Sequence, residues 1–423
     1  MPKNKHTKDD IMQMIQQRDV YIWGSLIVGQ GICRAFERAG IAVKSFVDSS
    51  PSLQGTTALG YPIATPENVL PAVAQGKGFI VVSSGHYDIE IAESCRNAGL
   101  RNGRDYILCR TLNDLDPSVD ISGVCNLHCI SCPHGNLHGT AVPGGFMSAS
   151  TYGKVLTKLL HEIPWLGNIQ LYAWGEPFLN PDLPEIIAVT RQAKVLVALS
   201  TNLNIRKDFS AVIAAKPDWL KVSTSGFGPN YEITHTGGKW ERFHQNLLRL
   251  QELRNRFHPQ MQVVVNYHLY KHNIGDDYRN MQQFCEQMEF IFRPNHAYLY
   301  PMDNVMAYRE GKELSPEAQK TLDLLLMDID EGLARSERQK HLPCPEECCF
   351  PINWDLSVRQ CGVYYTPFIA ENFFEEPLED ILLRRRQSDL CETCKNMALH
   401  RFTGVYLEEK LLDEKHTRKG HDV

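Results

Sequence analysis

The sequence predicts an α/β protein built on parallel sheets, in three successive blocks. Short apolar runs alternate with stretches of helical length over most of the chain. That rhythm runs once over residues 18–112 and again over 113–310. Beyond residue 340 it stops, and closely spaced cysteines take over. Strand, helix, strand is the natural reading of each repeat, because two parallel strands need a long crossover between them.

At 423 residues the chain is long enough for two or three domains. Its 43% hydrophobic and 22% charged residues are those of an ordinary soluble protein. A net charge of −6 argues against a dominant nucleic-acid or membrane surface. The first twenty residues hold no apolar signal core, and no run approaches a membrane span. Thirteen cysteines without a secretion signal suit metal thiolates in a reducing cytoplasm better than disulfides. The expected location is therefore cytoplasmic, with neither nucleic acid nor membrane as partner.

Residues 1–17 read as a tail or helix, and 18–112 as a small doubly wound, Rossmann-like domain. Strands are expected at 20–23, 42–47 and 78–83, and a helix over 27–39. The first turn carries Gly24, Gly29 and Gly31, and Asp48 closes the next strand. In a dinucleotide site such glycines admit a pyrophosphate and such an acid reads ribose hydroxyls. The spacing departs from GxGxxG, because no glycine follows Gly24 by two. The other reading is a fold kept for docking or dimerisation. Phe46-Val-Asp-Ser-Ser, Gly60-Tyr-Pro-Ile and Val81-Val-Ser-Ser-Gly85 resemble the small Rossmann-like domains attached to several bacterial sugar-modifying enzymes.

The second block, 113–310, has strand candidates at 119–124, 168–173, 195–200, 219–223, 262–269 and 296–300. Helical stretches at 152–162, 183–192 and 240–254 separate several of them. Directly after the first strand stands Cys125-Asn-Leu-His-Cys129-Ile-Ser-Cys132. A [4Fe–4S] cube usually takes four thiolates, so three close cysteines leave one iron open. On spacing alone a zinc knuckle is an open alternative. Further on come Met147-Ser-Ala-Ser-Thr-Tyr152 and Ile169-Gln-Leu-Tyr-Ala-Trp-Gly-Glu-Pro-Phe-Leu-Asn-Pro181, with Gly175-Glu176-Pro177 where a strand ends. A glycine there lets backbone approach a ligand, and an exposed carboxylate or carbonyl accepts from an ammonium.

Taken together, these segments resemble the radical S-adenosylmethionine enzymes. The resemblance implies a partial (β/α)6 barrel with its chemistry at the carboxyl ends of the strands. It implies a [4Fe–4S] cluster on Cys125, Cys129 and Cys132, its open iron taken by the amine and carboxylate of S-adenosylmethionine. The reduced cluster then cleaves that cofactor to a 5′-deoxyadenosyl radical, which abstracts a hydrogen atom from substrate. By the same resemblance Gly175, Glu176 and Pro177 position the cofactor's methionine end, Thr201 and Asn202 reach its ribose, and Ser223 bonds its amino-acid end. A flavodoxin- or ferredoxin-like electron donor is the implied partner. Two departures stand out: Ser131 replaces an aromatic before the third cysteine, and His235-Thr-Gly-Gly238 replaces an Arg-Gly that grips the cofactor carboxylate.

Other residues are weighed against blander roles. His268, Tyr270, Arg293, Asn295 and Tyr300 sit where they can face a substrate or simply form pocket wall. His128, His134 and His138 are redundant as ligands, and Cys33, Cys95, Cys109 and Cys285 read as small core residues.

A helical, charged connector spans 311–340 and a cysteine-rich unit 341–410, followed by a charged tail at 411–423. The unit holds Cys344-Pro-Glu-Glu-Cys348-Cys349, Asn353-Trp-Asp-Leu-Ser-Val-Arg-Gln-Cys361 and Cys391-Glu-Thr-Cys394. It resembles the SPASM or Twitch extension of the same family, although Leu356 replaces the usual glycine after Asp355. That implies one auxiliary [4Fe–4S] cluster on Cys344, Cys361, Cys391 and Cys394, with Cys348 or Cys349 as alternatives to Cys344 and four-thiolate zinc as the other reading. His400 stands where the full pattern has a further cysteine.

The expected activity is hydrogen-atom abstraction from a small molecule, a carbohydrate or nucleotide-linked sugar, leading to oxidation or epimerisation. One alternative is modification of a ribosomal peptide. Another, of a different class, is a non-catalytic metal-cluster binding protein.

Overall fold

The computed structural model describes residues 6–83, 87–137 and 144–407. His138, Ser84, Gly85 and the tail at 411–423 lie outside them. The amino-terminal block forms a six-stranded sheet from Asp19–Trp23 (β1), Val43–Val47 (β2), Thr57–Ala58 (β3), Tyr61–Ala64 (β4), Gly78–Val82 (β5) and Tyr106–Leu108 (β6). Their order is β3-β4-β2-β1-β5-β6, with every pairing parallel except β3 with β4. The central strands read Asp-Val-Tyr-Ile-Trp and Gly-Phe-Ile-Val-Val because parallel strands are covered on both faces. Two apolar clusters accordingly flank the sheet, one around Ile22, Phe36 and Phe79, the other around Trp23, Ile80 and Cys95.

The acid expected to read a ribose is engaged by the protein itself. Asp48 Oδ2 accepts from the Ser25 hydroxyl (2.7 Å) and N–H (3.2 Å), while its Oδ1 accepts from the N–H of Ser50 (2.9 Å). A Cβ on Gly29 would stand 1.9 Å from the carbonyl oxygen of Gly24, so that glycine serves a close helix–turn packing. The helix Ile27–Ala39 docks the block onto the amino ends of the second sheet. Arg38 in its last turn donates to the carbonyls of Lys194 (2.9 Å), Pro164 (2.9 Å) and Leu166 (2.6 Å). Phe36 meets Trp165 edge-on at 5.4 Å.

The second sheet begins with six strands, Asp116–Asp120 (β7), Asn168–Gln170 (β8), Leu196–Thr201 (β9), Trp219–Thr224 (β10), Gln262–Leu269 (β11) and Ile291–His296 (β12). Each lies parallel beside the next, the βα arrangement of a partial barrel. Two positions correct the sequence reading. The sixth strand runs 291–296, not 296–300: its Pro294 and polar neighbours disguise it, and proline is tolerated because β12 is the sheet's edge. The first strand ends at Asp120, and the next residues bend away as Gly123 donates to the carbonyl of Gly145 (2.8 Å).

Alternation along these strands sorts their side chains. Leu220, Val222, Val263, Val265 and Tyr267 face the covering helices and are fully or almost fully buried. Trp219, Lys221, Ser223, Asn266 and His268 point to the other face and are only half-buried.

The cysteine-rich segment extends this same sheet. Cys349–Asn353 (β13) pairs parallel with β7, in register Cys349 with Asp116 through Asn353 with Asp120. Val358–Arg359 (β14) and Phe368–Ala370 (β15) continue it antiparallel. The connector supplies two helices, Pro316–Leu324 and Ile329–Arg338. They pack with Leu299, Met302, Phe402 and Tyr406 in a third apolar core. No helix among the described residues is long and apolar enough to cross a membrane.

Candidate cluster and cofactor site

The carboxyl ends of β7 to β10 carry the predicted residues. Asp120, at the end of β7, is 2% exposed and accepts from the N–H of Trp174 (3.0 Å) and of Gly175 (3.4 Å). That pins the loop after β8 onto the strand end. The Glu176 N–H then donates to the Val124 carbonyl (2.9 Å), beside the first cysteine. Here only glycine fits at 175, since a Cβ would lie 1.5 Å from the Ser122 carbonyl oxygen. Its role is therefore a close pass of two protein loops, where the sequence suggested room for a cofactor.

The cysteine loop is tied on three sides. His128 and Ile130 donate from their backbone to the carbonyls of Thr236 (2.9 Å) and Thr234 (3.2 Å). Cys132 opens the short helix Pro133–Asn136, whose Asn136 side chain donates to the carbonyls of Ile130 (2.9 Å) and Tyr300 (2.7 Å). Burial pushes the Cys125 thiol up to about 12, assisted by the charges of Glu176 and Cys132. Burial likewise carries Cys132 to about 11, and carries Cys129 well above the ordinary thiol range with Cys132 and Cys125 adding to it. Thiols raised in this way are neutral at pH 7 unless a cationic group binds them, because ligation requires the thiolate. By chemistry the three sulfurs are donors of the kind an iron–sulfur cluster takes, while among the described residues no three metal-ligating side chains already stand at the spacing that holds a single metal ion.

Glu176 corrects an expectation. Its carboxyl is not exposed to receive an ammonium but 2% exposed and already accepting three bonds. Oε1 accepts from the Thr201 hydroxyl (2.8 Å) and the Phe178 N–H (3.0 Å), and Oε2 from the Asn202 N–H (2.7 Å). Asn202, thus fixed, donates from Nδ2 to Cys125 Sγ (3.5 Å) and to Asn126 Oδ1 (3.1 Å). Glu176 and Thr201 therefore brace Asn202, which contacts the first thiol. Pro177 starts the buried turn Pro177–Leu179, and Ser223 lies half-buried on the open sheet face opposite Asn266.

Burial raises the Glu176 carboxyl to about 7 against the pull of its three donors. With a folded-state pKa above the unfolded value, this group's contribution is complete below about pH 4.5 and lost as pH rises through 7. Stability should fall across that window by about 3 kcal/mol from this residue alone. Denaturant unfolding of the wild type and Glu176→Gln between pH 4.5 and 8 measures the difference. Parallel curves for the two proteins would refute the assignment.

The two departures also find a structural answer. Tyr270, 2% exposed, donates its hydroxyl to Ser131 Oγ (3.1 Å), so β11 reaches the cysteine loop where a local aromatic is missing. His235 stacks on Tyr231 at 4.4 Å and shares a hydrogen bond with Ser225 Oγ (3.1 Å). Burial lowers its pKa to about 3, so it is a neutral core residue and no substitute for the arginine. Cys33, Cys95 and Cys285 are buried thiols raised to about 12, in keeping with core positions.

A second cysteine group lies in the carboxyl-terminal segment. Cys344 is raised by burial and by Cys391, while Cys394 is raised by burial, Cys344 and Cys391. Cys361 is raised by burial, Glu346 and Cys344. Cys344 thus feels Cys391, Cys394 feels both, and Cys361 feels Cys344, although among the described residues no three metal-ligating side chains already stand at the spacing that holds a single metal ion. Gln360 Nε2 donates to Cys391 Sγ (3.1 Å), a bond of the kind that tunes a cluster. Cys348 and Cys349 instead face each other, Sγ to Sγ 3.6 Å, beside Asp116 and Glu346.

Sequence reasoning missed the aromatic link between the groups. Tyr300, raised by burial above all, also feels the charges of Cys361 and Cys132. Its ring lies tilted against that of Trp174, centroids 4.7 Å apart, and its hydroxyl donates to the Gly362 carbonyl (3.0 Å). Trp354 lies against Gly123 and Gly145, where a Cβ would come within 2.0 and 2.2 Å of its indole. The Asn-Trp-Asp text hinted at a family motif, not at this contact.

No protein-family model matches the chain, and no curated protein matches it in sequence. Among solved structures, Streptococcus suis SuiB bound to precursor peptide SuiA is 13% identical with a TM-score of 0.43, covering 71% of each chain. Native anSMEcpe with bound AdoMet and Cp18Cys peptide is 14% identical, with a TM-score of 0.42 over 68% of this chain and 88% of that one. BtrN in complex with AdoMet and 2-DOIA is 14% identical, with a TM-score of 0.37 over 69% of this chain and 91% of that one.

Proposed function

We propose that the chain is a radical S-adenosylmethionine enzyme with an auxiliary iron–sulfur cluster, acting by hydrogen-atom abstraction. The observation that carries the reading is the cysteine loop of Cys125, Cys129 and Cys132 at the carboxyl edge of a parallel sheet, braced by Glu176 through Asn202. When bound, the cluster supplies one-electron reductive cleavage of S-adenosylmethionine.

The chain's own residues do the rest. Asn202 and the Leu127 N–H, each 3.5 Å from Cys125 Sγ, stabilise negative charge on that sulfur. Asp120 and Gly175 fix the loop that flanks it. Cys344, Cys361, Cys391 and Cys394 hold the auxiliary cluster, and the half-buried sheet face receives the substrate. That face carries Ser200, Ser223, Asn266, His268 and Asn295, a donor and acceptor array suited to a hydroxylated small molecule such as a carbohydrate.

The test uses the full chain, reconstituted anaerobically. About eight irons per chain and dithionite-driven release of 5′-deoxyadenosine are expected. Zinc in place of iron with no release would sink the reading. Tight binding of a ribosomal peptide, with no turnover of sugars, would move the substrate assignment to peptides.

A further inference from the structure

The open face of the second sheet carries unneutralised positive charge. Of the strand residues on this face, Lys221 (β10), His268 (β11), Arg293 (β12) and Arg359 (β14) are the basic ones, and Asp116 and Asp120 (both β7) the acidic ones; Arg359 is buried, donates to Asn353 Oδ1 (2.7 Å) and acts on Asp120. Asp120 is buried, Asp116 half-buried, and both are engaged. Asp116 accepts from Gln170 Nε2 (2.7 Å), and Asp120 from the Trp174 and Gly175 backbone. Among the described residues neither Lys221 nor Arg293 forms an ion pair.

Aromatic rings hold the two cations instead. Lys221 Nζ lies 4.8 Å from the centre of the Tyr172 ring, and Arg293 Cζ 5.7 Å from that of Trp219. Trp219 precedes Lys221 by two residues on the same face, so one wall presents both heads. On the same face of β11 and β12, toward their carboxyl ends, runs a directed chain: Asn295 Nδ2 donates to Asn266 Oδ1 (2.5 Å), and Asn266 Nδ2 bonds His268 Nε2 (2.9 Å). His268 stays neutral, lowered to about 4 by burial and then by the Lys221 charge. Lys221 thus acts on the neighbouring imidazole of β11, and the carboxylates among the described strand residues of this face, Asp116 and Asp120, are engaged elsewhere.

We infer that this wall is an oxyanion subsite, with Lys221 and Arg293 holding a carboxylate or phosphate carried by the substrate and Asn266, Asn295 and Ser223 reading its neighbouring polar atoms. The inference rests on the proposed reaction for the word substrate, but the subsite itself is a matter of binding. The cofactor's own carboxylate has the same chemistry, so the two sources must be separated.

The experiment is equilibrium binding by calorimetry on the full, cluster-reconstituted chain. The probes are inorganic pyrophosphate and glutarate, each added after saturation with S-adenosylmethionine, and S-adenosylmethionine is also titrated alone. Lys221→Gln and Arg293→Gln should each weaken the better probe about ten- to hundredfold, the loss of one charge-assisted contact. Their S-adenosylmethionine affinity should stay within about twofold, the change expected when no contact of that strength is lost. Lys221→Arg and Arg293→Lys, which keep the charge, should recover most of the loss. Wild-type affinity should also fall as ionic strength rises. Failure of both probes to bind, or equal binding by the Gln variants, would overturn the subsite. So would a tenfold loss of S-adenosylmethionine affinity in those variants, which would give the cations to the cofactor. If the wild type binds pyrophosphate but not S-adenosylmethionine, the radical reading fails while the subsite stands.

Discussion

Cys129→Ala is expected to remove about four irons per chain and all cofactor cleavage, leaving the auxiliary irons in place. The loop of Cys125, Cys129 and Cys132 offers three thiols, and Cys129 feels both of the others. A cube held by three thiolates at one corner-sharing loop has no spare ligand there, since the nearby His128 turns its Nδ1 to the His134 carbonyl (3.1 Å). Cys348→Ala makes the matched control: its sulfur faces Cys349 and the Pro345 carbonyl, and its loss should leave iron content unchanged. Iron analysis with electron paramagnetic resonance of the reduced proteins checks both. Four irons lost from the Cys348 variant would redraw the auxiliary ligand set.

Gly175→Ala should be nearly as damaging, although it adds one methyl group. That methyl would lie 1.5 Å from the Ser122 carbonyl oxygen and 3.1 Å from that of Val124, both of them backbone. No side-chain rotation relieves such a contact, so the loop must move bodily. The movement travels to Glu176, from there to Asn202, and so to Cys125 Sγ. A stability loss of about 3 kcal/mol or more is expected, at the upper end for overpacking. Cleavage of the cofactor should fall about a hundredfold, the usual cost of an ångström's misplacement. Gly153→Ala serves as control, because in its helix the added Cβ meets only a Val189 methyl at 4.0 Å. Thermal unfolding and 5′-deoxyadenosine release read both variants, and a Gly175→Ala protein that matched Gly153→Ala would remove the argument.

What the sequence made legible was whatever has a local signal. Strands such as Gly78–Val82 and Gln262–Leu269 announce themselves by apolar runs, and the helix Leu183–Gln192 by its spacing and its early proline. The three-cysteine loop was equally plain, because its ligands sit within eight residues. What stayed hidden depends on partners remote in the chain. Glu176 looked like an exposed carboxylate, yet its burial is decided by Thr201 and Asn202 on the next strand. Tyr270 and Tyr300 looked like pocket wall, and only the fold brings them to Ser131 and between the two cysteine groups. Ile291–His296 was concealed by Pro294, which a central strand would not accept but an edge does.

The parallel pairing of β13 with β7 sets a timetable for synthesis. When Asp116–Asp120 leaves the ribosome, its partner Cys349–Asn353 is roughly 230 residues from being made. At about 5–20 residues per second, that flank of the nascent sheet waits on the order of ten to fifty seconds. Its free N–H and C=O groups are open meanwhile to any strand that arrives first. Trp354, which seats the start of the cysteine loop, arrives later still. The start of the cysteine loop is thus seated only after residue 354 has been made, and a chain cut short before residue 349 keeps an open sheet flank that makes it a candidate for aggregation.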